Sequence, residues 1–267
     1  MIKVTIVTPV LNGARFIRRT IESVLEQKGD FALEYIICDG GSTDNTVEII
    51  KEYQDRCRLI QRHDSGPADA INFGMEKATG EICGWLGADD LLLFGALMQV
   101  VKSFTEHPQK VWLYGRCRII DENETEIRRG ITFYKNLLGY RFSRRVLWTE
   151  NFISQPATFW RADLWRRCGG LDSAYKAAFD YDLWLRFAIS SLPLALPAYL
   201  AAFRRHQDSI SEQNFMGQFQ EELAICKREA SFLYYQIHRF NYCKIIAIYR
   251  LLESVAKVRS NFFRQKI

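Results

Sequence analysis

Apolar positions along the first ninety residues alternate between two periods. Lys3 to Thr8 (KVTIVT) is a short β-branched run, the stretch from Pro9 to Gly13 breaks it, and Phe16, Ile17, Ile21, Val24 and Leu25 then share one helical face. The unit repeats. Glu34 to Cys38 (EYIIC) is a second strand, Asp39-Gly-Gly-Ser-Thr-Asp44 is a loop, and Val47, Ile50 and Tyr53 recur at helical spacing. Arg58 to Gln61 is a short third strand, after which Gly66-Pro67 opens a helix through Ala78, with Pro suited to the first turn and Gly80 to the stop. The stretch Gly80 to Leu93 (GEICGWLGADDLLL) carries a strand with buried positions Ile82, Trp85 and Leu86 into Asp89 and Asp90, with a helix expected from about Leu91. Strands alternating with amphipathic helices in this rhythm predict an α/β fold, a mostly parallel sheet with helices on both faces.

In such a sheet the loops at strand carboxyl ends converge on one crevice. Here they are Thr8-Pro-Val-Leu-Asn12, Asp39 to Asp44, Asp64-Ser-Gly-Pro and Asp89-Asp90. None is a GxGxxG or a P-loop, so neither a dinucleotide nor an ATPase phosphate cradle is indicated. Glycines 40, 41 and 66 can bring backbone close to a nucleotide, and Asp39 can accept hydrogen bonds from a base or ribose. Adjacent carboxylates repel, and a bound divalent cation is the usual reason to keep such a pair beside a site. The alternative is that Asp89 caps the following helix.

Beyond this half, Leu113 to Asp121 is another strand, and Ile127 to Glu150 is basic and aromatic without clear period. Tyr181, Leu185 and Ala188 fall at helical spacing with Asp180 at the start, and Tyr199 to Arg205 is a short strand. From Glu212 the period is helical, and Ile245, Ile248, Tyr249, Leu252 and Val255 align against Lys244, Arg250, Lys257 and Arg259. That basic amphipathic helix suits an acidic leaflet, or packing on the main domain or a second subunit. The chain therefore divides into a domain over 1–211 and a helical appendage over 212–267.

Composition sharpens this division. The 267 residues are 48% hydrophobic and 25% charged, enough for one large core. The net charge of +5 lies wholly in the tail: Phe215 to Ile267 holds 9 Lys/Arg against 4 Asp/Glu, leaving 27 of each before it. The 7 cysteines form no CxxC pair, which argues against a zinc site or disulfide framework and for a reducing cytoplasm. Neither an export signal nor a membrane span is expected.

Taken in order, VTIVTPVLNG, CDGGSTDNT and DSGPADAINFGMEKATGEICGWLGADD resemble the amino-terminal half of the family 2 glycosyltransferases, and the likeness extends over residues 2–210. The resemblance implies a GT-A fold, a UDP- or GDP-linked sugar donor, Mg²⁺ or Mn²⁺, and inversion at the anomeric carbon. Thr8, Pro9, Asn12 and Asp39 match the family's nucleotide-binding loops, and Asp64, Gly66, Asp69 and Asn72 match its DxGxxDAxN segment. Asp89 matches the last acid of the DXD metal motif, with Asp90 a helper or cap; Gly87 departs from the first acidic position. Gln155 and Pro156 lie in a segment that shapes the acceptor pocket, and the basic stretch 127–150 is either an acceptor-side loop or a solvated face.

Phe179 to Arg186 (FDYDLWLR) resembles the family's ED-Y-D-LW-LR segment, which makes Asp180 the base that takes the acceptor proton. Phe179 replaces the preceding Glu, and an apolar neighbour raises the pKa of Asp180. Asp182 is the competing candidate; otherwise Asp180 is an N-cap and Asp182 pairs with Arg186. Arg204 to Ser211 resembles RxHxxSxS, placing His206 near the metal or diphosphate. The implied activity is a hexosyl transfer to a glycan or lipid-linked glycan of the bacterial cell-surface type, in the cytoplasm or at the inner membrane face, with no nucleic-acid partner. Two other functions stay open. A sugar-nucleotide pyrophosphorylase expects a Gly-rich basic loop that Thr8 to Gly13 lacks, and a non-catalytic donor-binding partner is suggested by Gly87 and Phe179.

Overall fold

The computed structural model describes residues 1–209 and 214–247. Strands β1 (Ile2–Val10), β2 (Phe31–Asp39), β3 (Arg58–Gln61), β4 (Ile82–Trp85), β5 (Leu91–Leu92), β6 (Trp112–Ile120), β7 (Thr158–Arg161) and β8 (Leu194–Arg204) form one sheet in the order β3-β2-β1-β4-β7-β6-β8-β5. The sheet is mostly parallel, with β4–β7, β6–β7 and β5–β8 antiparallel. Helices α1 (Ile17–Leu25), α2 (Thr46–Lys51) and α3 (Pro67–Lys77) make the crossovers of the first half.

Burial on both faces explains why these strands read as near-continuous apolar runs. Val4, Ile6 and Val10 of β1 enter the core under α1 and α4 (Ala96–Glu106), while Val7 enters the opposite core with α3. Each such fully buried side chain contributes on the order of 1.5–3 kcal/mol. The register Val10↔Asp39 and Asp39↔Gln61, with Val7↔Trp85 on the other flank, brings the carboxyl ends of the four strands to one edge.

In the second half a tryptophan stack joins strands to helices. Trp184 of α8 (Phe179–Ser190) lies nearly parallel to Trp85 at 5.5 Å and to Trp112 at 6.1 Å, and Trp160 stacks on Trp165 of α7 (Ala162–Cys168) at 5.4 Å. Stacked and edge-on rings of this kind fix the strand ends against the helix that carries Asp180.

Two expectations are corrected. No helix begins at Leu91: Leu91 and Leu92 form β5 and pair with Ala202 and Ala201 of β8, and α4 starts only at Ala96. A run of consecutive buried apolar residues offers a helix no polar face but suits a covered strand, so Asp89 caps nothing. Residues 127–150 contain α5 (Arg129–Leu138) and α6 (Arg144–Thr149). Helix α5 buries only Thr132 and leaves Phe133 and Leu137 exposed.

The helix Phe215–Glu229 and the helical residues 232–247 pack against α8 and α6, with Ile225 in the same core as Tyr181 and Leu147. Of the basic amphipathic face, Ile245 and Lys244 are described; Ile248, Tyr249, Arg250, Leu252, Val255, Lys257 and Arg259, like the boundary at 211/212, lie outside the described residues. All seven cysteines are free.

Candidate active site

The loops that follow β1 and β2 are tied to one another by hydrogen bonds. Asn12, held at φ 52°, accepts from the Thr43 amide at 2.8 Å through Oδ1, and its own amide donates to Ser42 Oγ at 2.8 Å. Buried Thr8 pairs with the Tyr35 hydroxyl at 3.0 Å, and Pro9 follows it at the strand end. Asp39 is 1% exposed and accepts from the amides of Gly41 and Ser42, a compact turn held by one carboxylate. Gly40 sits under Asp64: a Cβ there would lie 2.6 Å from Asp64 Oδ2, so a side chain at this position would displace the carboxylate. Asp39, Arg62, Asp64 and Phe73 line a small cleft at this edge, and the Arg62 guanidinium lies 4.6 Å from the Phe73 ring centroid.

Asp64 accepts from the Gly66 amide at 2.9 Å, and Asp69 reaches back to the Ser65 amide at 3.1 Å while facing Arg62 at 3.3 Å. These two carboxylates set the entry of α3, where negative charge meets the positive end of the helix dipole. Asn72 uses both ends of its amide on Leu171, donating to the carbonyl at 2.9 Å and accepting from the N–H at 2.8 Å. It thereby fastens α3 to the loop that leads toward α8.

At the end of β4, Asp89 and Asp90 part company. Asp90 is buried and accepts from the Arg204 amide at 2.9 Å; burial, then the charge of Asp89, raises its carboxyl well above the usual range. Asp89 remains partly open, with Oδ2 2.9 Å from His206 Nε2. His206 Nδ1 has no partner among the described residues, and the imidazole is packed 4.7 Å from the Phe16 ring. A Cβ on Gly87 would lie 2.8 Å from Asp89 Oδ1 and 3.0 Å from Asp90 Oδ2, so the acidic turn is closed around a glycine.

The described residues hold no group of three His, Cys, Asp or Glu arranged for a metal ion. One open carboxylate beside one imidazole nonetheless fits a hard cation that takes its other oxygens from water and a substrate diphosphate, as Mg²⁺-type sites commonly do, rather than a closed protein cage.

A residue without a role in the sequence reading organises this corner. Arg204 is 1% exposed; it donates from Nε to the Asp89 carbonyl at 2.7 Å and from Nη2 to Glu124 at 3.2 Å, and it stacks over Phe16. Its place two residues before His206 was the available signal.

The second carboxylate is delivered by α8. The Phe179 ring lies 6.4 Å from Trp85, so the start of α8 stands beside the end of β4. Asp180 is partly buried, accepts from the Tyr181 amide at 2.6 Å and is bonded by the Asn151 side chain. Desolvation, reinforced by the charge of Glu222, raises its pKa to about 7 against the opposing pull of those hydrogen bonds and of Lys135. Asp182 is 1% exposed and fully engaged: Oδ2 accepts from Arg186 Nε and Nη2 at 2.9 and 2.6 Å, and Oδ1 accepts from Arg228.

The Phe215–Glu229 helix supplies two acids that the sequence did not mark. Glu221 accepts from the amides of Lys176, Ala177 and Ala178 at 2.8–2.9 Å, holding the approach to α8. Glu222 is buried 3.8 Å from His238, whose pKa rises to about 10: burial opposes the charge, but the interactions of its ring with Cys226, Glu222 and the Trp148 carbonyl, which accepts from Nδ1, outweigh it. Gln155 donates to the Trp85 carbonyl at 2.6 Å, and Pro156 is buried in the turn Gln155–Ala157.

With this geometry in hand, comparisons with known proteins give a consistent picture. Residues 5–167 match the family model described as "Glycosyl transferase family 2". The chondroitin synthase of Pasteurella multocida (strain Pm70) is 29% identical over 188 residues, which are 69% of this chain but only 19% of that protein. The chain thus spans about a fifth of the length of that relative. A mannosyltransferase from Pyrobaculum calidifontis, solved with GDP-Man and Mn²⁺, superimposes with a TM-score of 0.66 at 21% identity over 85% of this chain and 65% of that one. S. aureus TarS residues 1–349, solved with UDP-GlcNAc, gives 0.63 at 16% identity over 84% and 66%. The fold is the GT-A arrangement of these transferases.

Proposed function

The chain belongs to glycosyl transferase family 2, and on that premise we propose that this glycosyltransferase moves a sugar from a nucleoside diphosphate to a hydroxyl of a glycan or lipid-linked glycan, with inversion. The observation that carries the reading is the pair of unlike carboxylates flanking the Trp85 strand end. Asp89 is open and beside His206; Asp180 has its pKa raised to about 7.

The division of labour follows from that contrast. Thr8, Pro9, Asn12 and Asp39, with Asp64 and Gly66, form the nucleoside side, and Asp69 and Asn72 hold its geometry. Asp89 and His206 would hold Mg²⁺ or Mn²⁺, with Asp90 and Arg204 fixing the turn. When bound there, the cation neutralises charge on the leaving diphosphate. Asp180 takes the proton of the acceptor hydroxyl as that oxygen bonds to the anomeric carbon and the bond from this carbon to the diphosphate oxygen breaks. A base near neutrality suits this task, since it is ionised at working pH and still binds a proton well. Asp182 is unsuited because two guanidinium groups already occupy its oxygens. Gln155 and Pro156 border the acceptor.

Support for the donor class comes from the GDP-Man and UDP-GlcNAc complexes of the structural neighbours. No helix among the described residues is long and apolar enough to cross a membrane, and the basic surplus after Phe215 favours an acceptor presented at an acidic leaflet. Calorimetric titration with a panel of UDP- and GDP-sugars, with and without Mn²⁺, tests the proposal. One donor is expected to bind in a Mn²⁺-dependent manner and to be hydrolysed slowly without acceptor. Absence of binding by every nucleotide sugar in both conditions would contradict it.

A further inference from the structure

A cavity of about 230 Å³ opens between β6 and α5, away from the nucleotide loops. Arg116, Lys135 and Arg141 line it together with Tyr114, Tyr140 and Phe152, and no carboxylate borders it. Several arginines elsewhere face Asp or Glu, among them Arg15, Arg18, Arg19, Arg62, Arg129, Arg186 and Arg204. Among the described residues, none of the three cavity cations takes part in an ion pair. Three like charges gathered around a concave wall that no carboxylate lines create a positive field that an anionic guest relieves.

The walls are built rather than incidental. The Tyr114 hydroxyl donates to the Gly139 carbonyl at 2.8 Å, Asn136 donates to the Tyr199 hydroxyl at 3.1 Å, and the Arg116 guanidinium lies 5.9 Å from the Tyr199 ring centroid. These contacts tie α5 to β6 and β8, the elements that carry Lys135 and Arg116. Aromatic faces beside fixed cations suit a sugar ring carrying an acidic group.

The cavity also adjoins the base. Asn151, which bonds Asp180, is followed by Phe152 and Ser154 in the cavity wall, and Lys135 both lines the cavity and acts on Asp180 through its charge. The arginines of residues 127–150 divide accordingly: Arg129 pairs with Glu126 and Arg144 donates to the Ala188 carbonyl, whereas Arg141 lines the cavity.

We propose that this cavity is the subsite for an acidic residue of the acceptor, a sugar bearing a carboxylate or a phosphate, held by Arg116, Lys135 and Arg141 while the hydroxyl of its neighbour reaches Asp180. The inference rests on the transferase reading of Asp180. The test titrates the full chain, with UDP and Mn²⁺ present, with three probes: a glucuronate-terminated oligosaccharide, its glucose-terminated counterpart of equal length, and a counterpart carrying a terminal phosphate. The wild type should bind one or both acidic probes about 10-fold or more tighter than the neutral one, and the tighter of the two identifies the source of charge. Arg116→Gln with Arg141→Gln should abolish that preference, and Arg116→Lys with Arg141→Lys should retain most of it. Equal affinity for neutral and acidic probes in the wild type, or an undiminished preference in the double Gln variant, would overturn the proposal. Nucleotide-sugar affinity, which both double variants should keep, confirms that they are folded and reports separately on the transferase reading.

Discussion

In β3-β2-β1-β4 every neighbour is parallel, and each crossover is one short helix; in β7-β6-β8-β5 the partners come from distant parts of the chain, as when Leu91 meets Ala202. The first half fixes its polar loops by hydrogen bonds, between two loops from Thr43 to Asn12 and within one from Gly66 to Asp64. The second fixes its key carboxylate by packing, with tryptophans beneath α8 and Glu221 and Glu222 arriving from a helix some forty residues later. The difference assigns separate tasks. A rigid, open, hydrogen-bonded edge suits a charged donor, whereas a desolvated carboxyl suits proton transfer.

Mutations that strike one half and spare the other sharpen this comparison. Asp89→Ala removes the open carboxylate, so Mn²⁺-dependent donor affinity should fall roughly 10²-fold, while Asp90→Ala should cost less donor affinity and act mainly on stability by stranding the Arg204 amide. Equal donor affinity of Asp89→Ala and wild type in calorimetry with Mn²⁺ would break the assignment. Asp182→Asn should lower unfolding stability by about 2–4 kcal/mol, short of the full cost of breaking a buried pair because Arg228 still reaches solvent. Denaturant midpoints report that loss, and turnover per folded molecule should change little.

The smallest effect concerns pH. Desolvation and Glu222 hold Asp180 near 7, so kcat/KM should rise with pH as the base ionises through that region. Glu222→Gln removes one opposing charge and should move this limb a fraction of a unit lower, leaving the desolvation in place; a profile that stays put or moves higher contradicts the coupling. The same upward shift means that Asp180 favours the folded state most below the ordinary carboxyl range, and this contribution is lost as pH rises through about 7.

Much of the first half was legible because its units are local. Arg58–Gln61 appears as β3 as the pattern predicted, and Phe16, Ile17, Ile21, Val24 and Leu25 are all buried. The Leu91 expectation failed because an apolar run carries no period, and only pairing with β8 made it a strand. Helix α5 escaped notice among basic residues, although Ile131, Tyr134 and Leu138 stand at helical spacing. Motif likeness singled out Asp89, Asp180 and His206 as candidates, but much of the environment that makes two Asp residues unlike is tertiary: Arg228 closes on Asp182, while Glu222 and Asn151 face Asp180. Only Arg186, four residues after Asp182, is a partner that spacing encodes.

The central claim is that the donor is held by one half and deprotonation of the acceptor is performed by the other. Steady-state transfer beside calorimetric donor binding for Asp180→Asn tests it most directly, because the amide keeps size and hydrogen bonding but lacks proton affinity. Turnover should fall by roughly 10²-fold or more with donor affinity nearly unchanged. Near wild-type turnover in Asp180→Asn, with Asp182→Asn inactive though folded, would place the base on the wrong carboxylate.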